Sequence, residues 1–142
     1  MHLPEIALEE ALQEGECALC WLARKQLLLR VDTLFAEHVN DPQWRQSLRE
    51  GKGFCAYHAD LVLSRADVLS LSIIAEDLLA HTSITAPAKR AHSAWYCQLC
   101  EAQAHDVAQM AKLLAQLLRE PSWRSRYELS RGLCLPHLQQ VL

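Results

Sequence analysis

Four short strings decide the reading of this chain: Cys17-Ala18-Leu19-Cys20, Cys55-Ala56-Tyr57-His58, Cys97-Gln98-Leu99-Cys100 and Cys134-Leu135-Pro136-His137. Together they use all six cysteines of the 142 residues. Residues three apart share one face of a helical turn, so each string offers two ligand atoms that converge. Two such pairs, brought together from distant positions, are the usual way to build a four-coordinate structural zinc site. The order CxxC, CxxH, CxxC, CxxH predicts two Cys3His sets, one per copy. Cys17 and Cys20 are expected to join Cys55 and His58, and Cys97 and Cys100 to join Cys134 and His137. The expected cofactor is two Zn2+; an iron–sulfur cluster at the same ligands is the alternative, with disulfides or redox thiols behind it. No Cys-x-x-Cys-His string is present, which argues against covalent haem.

Working outward from these strings, the chain reads as a duplication. Cys17 and Cys20 map onto Cys97 and Cys100 with an offset of 80, and Pro42, Trp44, Arg45, Gly53, Cys55 and His58 map onto Pro121, Trp123, Arg124, Gly132, Cys134 and His137 with an offset of 79. Six of the eighteen positions in the windows 41–58 and 120–137 are identical. Fixed self-similarity of this kind marks a repeated supersecondary unit.

Helical signals fill the spaces between the strings. Residues 5–14 predict a short amphipathic helix closed by Gly15 as a left-handed cap. From Ala18 to Val39 there is no Pro or Gly, and Leu27, Val31, Leu34, Phe35 and His38 recur at helical spacing, which predicts one long helix. Asp41-Pro42 starts a short helix through Trp44 and Leu48. Cys55 opens another, and Ser64-x-x-Asp67 reads as a capping box for a helix over about 66–81, with Val68, Leu71, Ile74, Ala75, Leu78 and Leu79 as its apolar stripe. Residues 82–94 lose the pattern and read as a linker. The plan then repeats through Cys97, Glu120-Pro121 and Gly132, and ends in a turn from Leu138 to Leu142.

The predicted fold is therefore all-α, with two duplicated helical units each stapled by a Cys3His site and the helix at 66–81 packing between them. As domains, residues 1–142 form one compact body: repeat 1 with the bridging helix at 16–81, a linker at 82–94, and repeat 2 at 95–142. Lobes of about 70 residues are marginal on their own cores, which gives a metal a structural purpose.

At these residues the chain resembles the DUF6062 group, a bacterial family of unknown function with zinc-ligand-type motifs. The resemblance lies in the CxxC that opens a long helix, Asn40-Asp41-Pro42, Gly53-Phe54-Cys55-x-x-His58, the Ile73-Ile74-Ala75-Glu76-Asp77-Leu78-Leu79 stretch, and Gly132-Leu133-Cys134-Leu135-Pro136-His137-Leu138. It implies the same architecture over most of the chain and brings no activity. Ala18 and Gln98 depart from the proline common inside such CxxC knuckles.

Composition narrows the function classes. Net charge is -3 and no long basic run occurs, so nucleic acid is not an expected partner. The most apolar stretch, 61–80, contains Arg65, Asp67, Glu76 and Asp77, so no membrane span is expected. The acidic start, Met1-His2-Leu3-Pro4-Glu5, lacks the pattern of a secretion signal, and the expected location is the cytoplasm, where cysteines stay as thiols. Trp44 and Trp123 read as core wedges, and Arg119, Arg124, Arg126 and Arg131 as a solvated face. His105-Asp106 has no visible nucleophile to serve, and a set with four protein ligands leaves no open metal position. The expected role is non-enzymatic: a module that binds a protein partner or a second copy of itself through helix faces such as Leu138, Val141 and Leu142. The rival reading is a zinc-thiolate switch or a cluster carrier.

Overall fold

Pro and Gly punctuate this sequence where its helices begin and turn. In the computed structural model, which describes residues 2–81 and 96–142, eight α-helices and one π-helical turn are found and no strand. They are α1 Leu3–Gln13, α2 Ala18–Thr33, the π-turn Leu34–His38, α3 Pro42–Glu50, α4 Ala56–Arg65, α5 Val68–His81, α6 Gln98–Leu117, α7 Pro121–Leu129 and α8 Leu135–Val141. The predicted linker at 82–94 lies outside the described residues. None of the described helices is long and apolar enough to cross a membrane.

The chain divides into two compact units, Met1–Leu27 with Gln103–Leu142, and Leu28–Ala102. The boundaries fall inside α2 and α6. In the first unit, Leu8 and Leu12 of α1 and Leu19 and Leu22 of α2 bury against Ala111, Leu114 and Leu117 of α6 and Trp123 of α7. Removing apolar surface from water at roughly 1.5 to 3 kcal/mol per large side chain makes this the principal store of stability there. Ion pairs dress the rim: Arg126 of α7 reaches Glu9 of α1 at 3.2 Å, and Lys25 of α2 reaches Glu10 at 2.8 Å while lying over the Trp21 ring. Leu133 and Val141 also pack against this core, half-buried, so Val141 is not left uncovered as the sequence suggested.

In the second unit Val31, Phe35 and Val39 are buried at a spacing of four, and Phe35 meets Trp44 edge-on with ring centroids 6.1 Å apart. Four residues per turn overshoots the 3.6 of an α-helix, and the wider π-turn keeps the three on one face. That is why α2 ends at Thr33 instead of running regularly to Val39. α3 packs on α5. Their junction holds Asp77, only 12% exposed at its side chain, which takes two 2.8 Å bonds from Nη1 of Arg49 and lies 3.8 Å from Arg45.

Three local expectations are corrected. α1 is capped at its start by reciprocal bonding of His2 and Glu5 and ends at Glu14 in extended backbone, so Gly15 is not a left-handed cap. The cap of α5 is Asp67, whose Oδ1 accepts from Ser70 N at 2.9 Å, whereas Ser64 Oγ donates back to the Leu61 carbonyl at 2.7 Å. Only Leu71, Ile74 and Leu78 of the stripe foreseen on α5 turn inward to any degree; Val68 is 80% exposed and Leu79 61%. Trp44 and Trp123 are buried, as a core role requires.

Candidate metal centres

Each of the four strings begins at a helix N-cap. The carbonyls of Cys17 and Cys97 accept the first helical bonds of α2 and α6, from Trp21 and Glu101 at 3.0 and 3.2 Å, and Cys55 and Cys134 are the caps of α4 and α8. The last residue of each string, Cys20, His58, Cys100 or His137, then sits at the third helical position. Cap and third position face one another across the first turn, the geometry that lets a capping box close on itself. Before two of the caps, Gly53 and Gly132 adopt positive φ, +89° and +70°. This left-handed step swings the chain into the cap and is easy for a residue without Cβ.

The strings assemble crosswise. Cys17 and Cys20 gather with Cys134 and His137 in the first unit, and Cys55 and His58 gather with Cys97 and Cys100 in the second. In each group the four ligand atoms lie within 4.8 Å of one another. The expectation that each copy closes its own set is thereby corrected, and helix length gives the reason. α2 has 16 residues and carries the chain about 24 Å at 1.5 Å per residue, while the 9 residues of α3 return only about 14 Å, so the CxxH that follows falls in the other unit. The same imbalance holds between the 20 residues of α6 and the 9 of α7.

Within each group, one ring nitrogen is the hub. His137 Nδ1 lies 3.3 Å from Cys17 Sγ, 3.4 Å from Cys20 Sγ and 3.3 Å from Cys134 Sγ. His58 Nδ1 lies 3.2 Å from Cys55 Sγ, 3.4 Å from Cys97 Sγ and 3.3 Å from Cys100 Sγ. The sulfurs stand 3.8 Å apart between Cys20 and Cys134 and 3.7 Å apart between Cys55 and Cys100. A disulfide requires about 2.05 Å, so these are free thiols. A single imidazole nitrogen has one proton or one lone pair to offer and cannot hydrogen-bond three sulfurs equally well. Four donor atoms facing one point instead describe a coordination shell, and both groups can hold a metal ion.

The electrostatics are those of a cation site. Burial pushes the Cys17 thiol up, but bonds from the backbone of Cys134 and Cys20, together with the His137 and Cys20 side chains, outweigh it and bring it down to about 6. Burial and the neighbouring Cys17 and Cys134 sulfurs push Cys20 up to about 12. The second group repeats this: Cys97 comes down to about 7 against burial, through backbone bonds from Cys55 and Cys100 and the His58 side chain, and Cys100 is raised to about 12 by burial and by Cys55 and Cys97. One thiolate is tolerated and further negative charge is resisted until a cation compensates it. The N-termini of two helices aimed at each group help in the same direction.

The groups differ in exposure. Cys17, Cys20, Cys134 and His137 are all half-buried, whereas the second group combines buried His58 and Cys97 with half-buried Cys55 and exposed Cys100. His58 Nε2 is buried with no hydrogen-bond partner among the described residues. Its ring is held through Nδ1 and an edge contact with Tyr57 at 5.1 Å.

Residues 1–94 match a family of unknown function, DUF6062. The chain belongs to that family. No curated protein and no solved structure matches it. The DUF6062 region carries Cys17, Cys20, Cys55 and His58, which divide between the two groups, so each group draws its other two ligands from beyond residue 94. The Gly132–Leu138 motif also lies beyond the matched region.

Of the other residues singled out in the sequence, His105 Nδ1 stands 3.5 Å from Asp106 and is exposed, and His81 Nδ1 lies 2.7 Å from its own helix carbonyl at Asp77. His92 lies outside the described residues. The role of Asp77 as the carboxylate between two arginines has no sequence signal, because Arg45 and Arg49 lie about thirty residues upstream.

Proposed function

We propose that this chain is a non-enzymatic helical module that carries two structural zinc ions and presents apolar helix faces to a protein partner or a second copy of itself. The observation behind the zinc is the shape of the ligand sets. Bonds of about 2.3 Å to sulfur and about 2.0 Å to nitrogen, arranged tetrahedrally, set sulfurs about 3.8 Å apart and nitrogen about 3.5 Å from each sulfur. One sulfur pair in each group stands at 3.8 or 3.7 Å, all ligand atoms lie within 4.8 Å of one another, and the nitrogen distances of 3.2 to 3.4 Å are slightly contracted. Ligands of a multi-iron cluster bind different iron atoms and must stand further apart than one ion allows, so these spacings favour a single ion over the iron–sulfur alternative.

Each ion would have Cys17, Cys20, Cys134 and His137, or Cys55, His58, Cys97 and Cys100, as a complete shell. With four protein ligands no position is open for water or substrate, which supports a structural over a catalytic metal. The equal N-cap placement of all four strings supports an internal duplication. Crosswise assembly then makes each ion a link between one repeat and the other.

The interaction role rests on apolar surface. Leu63 at the end of α4 and Val68, Leu69 and Leu79 on α5 are each more than 60% exposed. Such residues on neighbouring helices are a common mark of an interface. Elemental analysis of the protein purified without added metal is expected to give two zinc per chain, with light scattering or a pull-down reporting self-association or a partner. Iron in place of zinc would overturn the metal assignment, and a monomer that captures nothing would overturn the interaction role.

A further inference from the structure

We propose that Cys100 is a peroxide-reactive modification site, resolved by Cys55, and that oxidation there opens the second metal group while the first stays closed. The proposal rests on the reading of both groups as zinc sites and adds a difference between them. All four ligands of the first group are half-buried, but Cys100 is the one exposed cysteine of the six. Zinc-bound thiolates remain oxidisable, and access of the oxidant then sets which sulfur reacts.

The neighbouring sulfur is in place for the second step. Cys55 Sγ lies 3.7 Å from Cys100 Sγ, and Cys55 is half-buried where Cys97 is buried. Cys100 sulfur attacks a peroxide oxygen; an S–O bond forms, the O–O bond breaks and hydroxide leaves. Cys55 sulfur then attacks the Cys100 sulfur; the S–S bond forms, the S–O bond breaks and a second hydroxide leaves. Two thiolates, one hydrogen peroxide and two protons give one disulfide and two waters, with the sulfurs oxidised and the peroxide reduced. Closing 3.7 Å to a bond of about 2.05 Å requires movement of two side chains at the helix starts. His58 and Cys97 are then left as two ligands, too few to hold the ion. The link from α4 to α6 survives as a disulfide, so this part of the second unit stays tied.

The test uses the full-length protein as purified. Metal analysis comes first: fewer than two zinc per chain at this stage refutes the zinc reading itself. One equivalent of hydrogen peroxide is then added without oxygen, zinc release is followed with a chromogenic chelator, and non-reducing peptide mapping locates the linked cysteines. The expected result is release of about half the zinc, a Cys55–Cys100 link, and Cys17, Cys20 and Cys134 still recovered as thiols. Release of both ions together, first oxidation at Cys17, Cys20 or Cys134, a Cys97–Cys100 link, or retention of all zinc would each overturn the proposal.

Discussion

Replacing His137 with Ala separates crosswise assembly from assembly within each repeat. The substitution removes the hub of the first group, and one ion of two should be lost. An ion in the first group would cross-link positions 114 apart, Cys20 to Cys134, whereas one in the second would span the 45 positions from Cys55 to Cys100. The loop-closure entropy alone, without the metal–ligand bonds, makes the first staple worth about 4.8 kcal/mol and the second about 4.0 kcal/mol at 25 °C, a lower bound on the loss. An unfolding entropy near 2.1 cal/mol/K per residue gives about 0.3 kcal/mol/K for 142 residues, so the variant should melt at least about 16 °C lower. Differential alkylation with mass spectrometry supplies the decisive pattern. His137→Ala should make Cys17, Cys20 and Cys134 reactive while Cys55, Cys97 and Cys100 stay protected. Reactivity at Cys97 and Cys100 together with Cys134, with Cys17 and Cys20 protected, would refute the crosswise reading.

Further perturbations address separate parts of the account. Prolonged treatment with a strong chelator should abolish most of the helical circular dichroism and the cooperative melt, because structural zinc contributes about 10 to 16 kcal/mol in small domains and whole-domain stability is of the same order; an unchanged melt would contradict a structural role. Asp77→Ala leaves Arg49 and Arg45 facing an empty, largely buried position and should cost about 2 to 3 kcal/mol in urea unfolding, less than a fully buried pair. Gly132→Ala must hold a Cβ at φ +70°, which costs about 1 to 2 kcal/mol, and competition with a chelator should show weaker metal retention in the first group than in the second. Zinc uptake by the metal-free protein at pH 8 should release protons, since Cys20 and Cys100 are held near 12 while Cys17 and Cys97, near 6 and 7, are already thiolates. Release per ion should therefore increase as the pH drops through 7 and below. Calorimetry in two buffers of different ionisation enthalpy reads this directly, and uptake without proton release would contradict it.

Much of this was legible in the residues. The eight ligand candidates, the helix starts at Asp41-Pro42 and Glu120-Pro121, and the burial of Trp44 and Trp123 all follow from local rules about caps, ring size and spacing. Pairing was not local. Motif order suggested that Cys17 and Cys20 meet Cys55 and His58, and only the lengths of α2 against α3 and of α6 against α7 argue otherwise. Those lengths were available in the sequence as the long stretch without Pro or Gly against the short window from Pro42 to Glu50. The π-turn had a weaker signal, the spacing of four from Val31 to Val39, which an α-helical template absorbs without complaint. α5 misled because apolar residues surround it, so no periodicity distinguishes Leu71, Ile74 and Leu78, which turn inward, from Val68 and Leu79, which do not. The Asp77–Arg49 pair depends on two helices meeting and leaves no trace in either alone.

X-ray absorption at the zinc edge, on protein isolated without added metal, tests the central claim most directly. Two ions per chain should give one averaged shell of three sulfurs near 2.3 Å and one nitrogen near 2.0 Å, with no metal neighbour. A shell of other composition, an open position filled by water, or metal-to-metal scattering would contradict the account.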